Sequence, residues 1–179
     1  MRVRFSAAIL LLVGAGMGIP LAHAAGSERA AVPAGWSPSQ LITPAELVKE
    51  MTRSKPHRPV IICVGFMALY RGAHIRGALY ESAASEPSGV TRLRAWARSL
   101  PKATPVVIYC GCCPFSGCPN VRPAFAVLRN EGMTHVRVLY LERGLTKDWV
   151  EKGYPSRREG TSPTDTQPGL PLSTRPSTR

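Results

Sequence analysis

Between Trp36 and Pro155 the hydrophobic positions switch between two patterns. Val60-Ile61-Ile62-Cys63-Val64 is a continuous apolar run, which predicts a strand covered on both faces. Pro105 to Tyr109 and Val136 to Leu141 predict a second and a third strand of the same sheet. Leu93, Trp96, Ala97 and Leu100 instead recur at helical spacing, with Arg92, Arg94 and Arg98 on the other side. Val121, Ala124, Phe125 and Leu128 repeat that spacing, and Gly132 is placed to end the helix. Thr43-Pro44-Ala45-Glu46 reads as a helix start: Thr43 caps, Pro44 suits the first helical position, and Glu46 completes a capping box. Leu47, Val48 and Met51 give that helix its apolar side, and Leu145 to Lys152 predicts a last short helix stopped by Gly153. Strands alternating with helices predict an α/β domain, a mostly parallel sheet with helices on both faces.

The flanks read differently. Arg2 and Arg4 precede an uncharged, largely apolar stretch from Phe5 to Leu21, and Ala22-His23-Ala24 follows. This is the pattern of a cleavable signal peptide over residues 1–24, and it predicts a periplasmic or secreted protein with no stable membrane span after cleavage. The alternative is an uncleaved anchor, which Gly14, Gly16, Gly18 and Pro20 disfavour as a helix. Residues 25–35 read as a linker and 36–155 as one domain. The segment 156–179 is Pro-rich, with Leu170 and Leu172 as its large apolar residues, and is expected to be a disordered tail.

Net charge is +12. A basic surface favours anionic partners. The chain carries no nucleic-acid-binding motif, so small anions and plain solvation are the readings kept.

Chemistry enters with the cysteines. Of five, Cys63 lies in the first predicted strand and reads as a small buried hydrophobe. Cys110, Cys112, Cys113 and Cys118 are crowded together and close no long loop. They therefore read as a chemical site and not as disulfide staples. Cys110 stands at the carboxyl end of a buried strand, where ligand sites of parallel sheets lie. A loop from Gly111 folding over Cys110, with a helix N-terminus near Pro119 to Val121, would favour thiolate over thiol. Arg122 is placed to add positive charge for an anionic substrate.

Three segments carry a resemblance to the rhodanese (sulfurtransferase) family. They are Gly72-Ala73-His74-Ile75-Arg76-Gly77-Ala78, Tyr109-Cys110 after its strand, and Leu141-Glu142-Arg143-Gly144 through Trp149 to Gly153-Tyr154-Pro155. The resemblance implies a five-stranded, mostly parallel sheet flanked by helices. It also implies a persulfide on Cys110, loaded by a small anionic sulfur donor such as thiosulfate and discharged to a thiol or other nucleophile. The expected substrate contacts are Gly111, Cys112, Cys113, Phe115, Ser116, Gly117 and Arg122, with Cys112, Cys113 and Cys118 as accessory thiols. No organic cofactor is implied.

Two features depart from the family pattern. Cys63-Val64-Gly65 fills the place of its usual Asp and Arg, and about five extra residues lengthen the cysteine loop. The related phosphatases need Arg six residues after the nucleophile. Positions 116, 118 and 119 hold Ser, Cys and Pro, so that chemistry is rejected. Two other readings of the cluster stay open. Cys110, Cys112, Cys113 and Cys118 suit a soft metal such as Cu(I) or Zn, or thiol-disulfide exchange. His74 is expected to make a structural hydrogen bond, Trp96 and Trp149 to pack in the core, and Arg143 to lie near the active face.

Overall fold

A computed structural model of the chain describes residues 32–54 and 57–159. The signal peptide expected at 1–24 and most of the expected linker lie outside these residues. The elements run β1 (Leu41–Ile42), α1 (Pro44–Met51), β2 (Val60–Cys63), α2 (Met67–Gly72), β3 (His74–Ile75), β4 (Leu79–Tyr80), α3 (Pro87–Arg98), β5 (Val106–Tyr109), α4 (Val121–Asn130), β6 (Val136–Leu139) and β7 (Ser156–Arg157).

Five strands form one sheet in the order β1-β6-β5-β2-β4, and every pairing in it is parallel. The long apolar runs became the three central strands β2, β5 and β6. Each central strand alternates its side chains between two cores. Ile62, Val106, Ile108 and Val138 pack with Leu93 and Ala97 of α3 and Ala124 and Leu128 of α4. Ile61, Val107, Tyr109 and Leu139 pack on the other face with Leu47 of α1 and Trp149. The edge strands β1 and β4 hold two residues each, too few for a pattern in the sequence to reveal them.

Local signals explain the element ends. Thr43 and Glu46 make the expected capping box: the Glu46 N–H donates to Thr43 Oγ1 at 3.3 Å and the Thr43 N–H to Glu46 Oε2 at 2.8 Å. Gly89 lets α3 lie directly on the preceding turn, because a Cβ there would fall 1.9 Å from the Ala83 carbonyl oxygen.

The Gly72–Ala78 segment is a turn with a buried middle. His74 stacks on Tyr70 and its Nδ1 meets the Tyr70 carbonyl at 2.8 Å, so its bond is structural, as expected. Gly77 takes φ +80°, a conformation that costs glycine little.

Three boundaries differ from the sequence reading. The expected helix at 145–152 is present as a shorter π-helix over Thr146–Val150, in which the Glu151 N–H reaches back to the Thr146 carbonyl. It forms because Trp149 is fully buried and its indole N–H donates to the Pro155 carbonyl at 3.0 Å. The short helix α2 carries no buried residue, so it left no apolar stripe to read. The chain also stays ordered past Pro155, against the expected disorder from 156. Ser156 and Arg157 pair antiparallel with Ile75 and His74, and Glu159 bonds Arg71 through both backbone and side chain. Backbone pairing with β3 supplies the stabilisation that this polar segment cannot draw from burial. Residues 160–179 lie outside the described part. Among the described residues, no helix is long and apolar enough to cross a membrane.

Candidate active site: a thiol cluster between β5 and α4

Alternation along β5 carries Cys110, the residue after the strand, to the α3/α4 face together with Val106 and Ile108. The loop from Gly111 to Asn120 then leads to α4. It is fixed from beside the sheet. The Phe115 N–H donates to the Leu141 carbonyl at 3.0 Å. The Phe115 ring is buried 5.8 Å from Trp36 and 5.0 Å from Tyr140, centroid to centroid. The turn after β6 lies against the same loop: a Cβ on Gly144, which has φ +98°, would sit 3.5 Å from the Cys113 carbonyl oxygen. Gly111 likewise runs close to Leu145, whose Cδ2 would be 3.2 Å from an added Cβ.

Four sulfurs are gathered by this fixation. Cys110 Sγ lies 2.8 Å from Cys112 Sγ, which lies 3.1 Å from Cys113 Sγ. The Sγ atoms of Cys110, Cys112 and Cys118 all lie within 4.8 Å of one another. Asn120 holds them from one side. Its side-chain amide donates to Cys110 Sγ at 3.4 Å and to Cys112 Sγ at 3.7 Å, while its Oδ1 accepts from the Ser85 N–H at 2.8 Å. Gly65, after β2, closes the other side; a Cβ there would stand 3.1 Å from Cys110 Sγ.

Charge is distributed unevenly over the cluster. The Cys118 thiol is lowered to about 6, first by the hydrogen bond it accepts from Cys110 and then, against some desolvation, by the backbone N–H groups of Asn120 and Val121. The latter lie at the N-terminal end of α4, one from the cap residue and one from the first helical residue, where a helix favours negative charge. Cys110 moves the opposite way: its bond to Cys118 and its burial both hold its proton. Desolvation and the bond to Cys112 push Cys113 up to about 12. The sequence expectation put the amide cradle and the negative charge on Cys110. In the structure Cys110 receives the Cys112 backbone N–H and the Asn120 side-chain amide, while the backbone N–H groups of Asn120 and Val121 at the helix end serve Cys118.

The remaining expected site residues separate into two groups. Gly111, Cys112 and Cys113 line the cluster. Phe115 anchors the loop from within the core, and Ser116 and Gly117 form an exposed short turn. Arg122 is turned away: its guanidinium lies 4.9 Å over Trp36 and donates to the Ala34 carbonyl at 2.6 Å. Arg143 is exposed and paired with Asp148 at 3.1 Å. Cys63 is buried on the opposite sheet face and burial raises its thiol, in keeping with a packing role.

Asn120 was not singled out from the sequence, and Gly65 was noted only as part of the segment that replaces the family's Asp and Arg. Asn immediately before a helix is an ordinary cap, yet this side chain makes no cap bond and faces the sulfurs. Cys110, Cys112 and Cys118 are spaced to share one soft cation, and thiolates suit Cu(I) or Zn.

Comparison with solved structures places this architecture. The BH2092 protein of Bacillus halodurans is similar at 18% identity over 67% of this chain and 77% of its own, with a TM-score of 0.52. The Alr3790 protein of Anabaena sp. is similar at 23% identity over 65% and 82%, with a TM-score of 0.50. A solution structure of the rhodanese-like domain of Alr3790 aligns over 78% and 92% at 21% identity, with a TM-score of 0.49. No family model matches the chain, and no curated protein matches it. The fold is rhodanese-like: a five-stranded parallel α/β sheet flanked by helices, here with a cysteine-rich loop at the carboxyl end of its central strand.

Proposed function

We propose that this protein is a sulfurtransferase that carries sulfane sulfur as a cysteine persulfide on the loop between β5 and α4. The observation that carries the reading is the gathering of the Cys110, Cys112 and Cys118 sulfurs within 4.8 Å at the carboxyl end of β5, in a rhodanese-like fold. A thiolate there attacks the outer sulfur of a small anionic donor such as thiosulfate. The S–S bond to the sulfonate breaks, sulfite leaves with the electron pair, and a persulfide remains on the enzyme. The persulfide is anionic and is favoured by the Asn120 amide and the N–H groups at the N-terminal end of α4. A thiol or another nucleophile then takes the sulfur.

Incubating the reduced protein with thiosulfate and mapping its peptides by mass spectrometry tests this. Release of one sulfite per chain is expected, with the transferred sulfur found either on a loop cysteine or as sulfide. A chain that takes no sulfur from thiosulfate or from a small-molecule persulfide is not a sulfurtransferase.

The same spacing supports one competing reading, a soft-metal module. Stoichiometric Cu or Zn in protein purified without chelator, lost in Cys112→Ser and Cys118→Ser, would replace sulfur transfer by metal binding. We further propose an exported location, on the strength of Arg2, Arg4, the apolar stretch Phe5 to Leu21 and Ala22-His23-Ala24. An N-terminus at Ala25 in protein recovered from the periplasm is the expected result, and retention of Met1 in the cytosol would reject it.

A further inference from the structure

We propose that Cys118 is the thiol that takes sulfur from the donor, and that Cys110 is a buried second thiol that discharges it as hydrosulfide. This inference rests on the sulfur-transfer reading and assigns its steps to particular cysteines.

The first argument is access. A donor must bring its outer sulfur into bonding distance of the attacking thiol. Cys110 is 4% exposed and closed in by the Gly65 backbone, the Asn120 amide and Cys112. Cys118 is only half-buried and sits in the exposed part of the loop, between Gly117 and Pro119.

The second argument is the placement of donors. The nascent persulfide is an anion, and Cys118 has two backbone N–H groups at the start of α4, a helix of ten residues. Cys112 and Cys113 are also half-buried, but they lack such a cradle. Cys112 has one shared amide contact at 3.7 Å, and Cys113 is paired with the Cys112 sulfur.

The third argument is proximity. Cys110 Sγ and Cys118 Sγ already lie within 4.8 Å, so the second step needs side-chain rotation in the loop and no change in the sheet. In that step Cys110 Sγ attacks Cys118 Sγ. The bond from Cys118 to the outer sulfur breaks, and a Cys110–Cys118 disulfide forms. The outer sulfur leaves with the electron pair and with the proton of Cys110, as hydrosulfide. The sulfane sulfur is reduced by two electrons, and the two thiols supply them. An external dithiol then reopens the disulfide by exchange and resets the pair.

The test is a single turnover of the full, reduced chain with thiosulfate and no added thiol, read by peptide mapping and by released sulfide. The wild type is expected to release one sulfide per chain and to end with the Cys110 and Cys118 peptides joined. Cys110→Ser is expected to keep the added sulfur on Cys118 and to release no sulfide above the buffer blank. Cys118→Ser is expected to take up no sulfur. Sulfur loaded on Cys110 in Cys118→Ser would overturn this assignment and leave the sulfur-transfer reading standing. A wild type that takes up no sulfur would overturn both.

A measurement without substitutions guards against misfolded variants. Brief alkylation of the native, reduced protein should label Cys118 first and Cys110 last. Labelling of Cys110 ahead of Cys118 would overturn the order of steps.

Discussion

The side-chain amide of Asn120 donates to the Sγ of Cys110 at 3.4 Å while its carbonyl oxygen is held by the Ser85 N–H. Asn120 is fully buried, and it ties the α4 terminus to both the thiol cluster and the loop before α3. Asn120→Asp keeps the acceptor for Ser85 but removes the donor to the sulfurs and adds a negative charge beside them. The expected result is an upward shift in the pH at which Cys118 becomes reactive. A loss of stability of about 1–3 kcal/mol should accompany it, as for a buried polar group left without its partner. Alkylation rate against pH and a urea titration check the two effects. A variant with the wild-type reactivity profile would remove Asn120 from the electrostatics of the site.

The lowered Cys118 thiol gives a pH dependence of its own. Because its ionisation falls to about 6 instead of the ordinary 9.0, the thiolate is present at neutral pH and is lost only on acidification. Its alkylation rate should rise through pH about 6 and level off above neutrality. Cys113, pushed up to about 12, should keep gaining reactivity into strongly alkaline solution. Residue-resolved labelling separates the two curves, and a Cys118 profile centred near 9 would contradict the helix-end argument.

Gly65 marks how tightly the buried thiol is enclosed. In Gly65→Ala the new Cβ falls 3.1 Å from Cys110 Sγ, closer than ordinary contact. The sulfur must shift within a packed interior, at an expected cost of about 1–3 kcal/mol. Chemical denaturation measures that cost. Sulfide release in the single-turnover assay should fall, because the displaced Cys110 loses its alignment with Cys118.

Arg122 holds the N-terminal side of the domain. Its guanidinium stacks on Trp36 and donates to the carbonyls of Ala34 and Gly35. Arg122→Ala should therefore lower stability by about 0.5–1 kcal/mol, seen as a lower Tm. A fall in sulfur loading at unchanged stability would instead return Arg122 to the donor site, where the sequence alone had placed it.

Much of the architecture was legible in residue patterns. The runs at Val60–Val64, Pro105–Tyr109 and Val136–Leu141 contain β2, β5 and β6, because strands buried on both faces must be apolar at nearly every position. Thr43 and Glu46 marked the start of α1 because a capping box is a local arrangement, complete within four residues. Edge strands β1 and β4 were not legible. Each is defined by its hydrogen-bonding partner, and two residues cannot carry a period. Strand β7 was hidden for the same reason: pairing with His74 and Ile75, far away in the chain, orders it.

The amino-acid sequence by itself determined that four cysteines would be crowded at the end of a buried strand, since adjacency along the chain forces that crowding. Only the tertiary structure decided which sulfur is enclosed and which meets the helix end. That choice depends on contacts across the fold: Leu141 fixing Phe115, Gly65 approaching Cys110, and Ser85 orienting Asn120. A thiol's charge is set by the donors around it and by its access to water, and both are properties of the assembled loop and not of the residue's place in the chain.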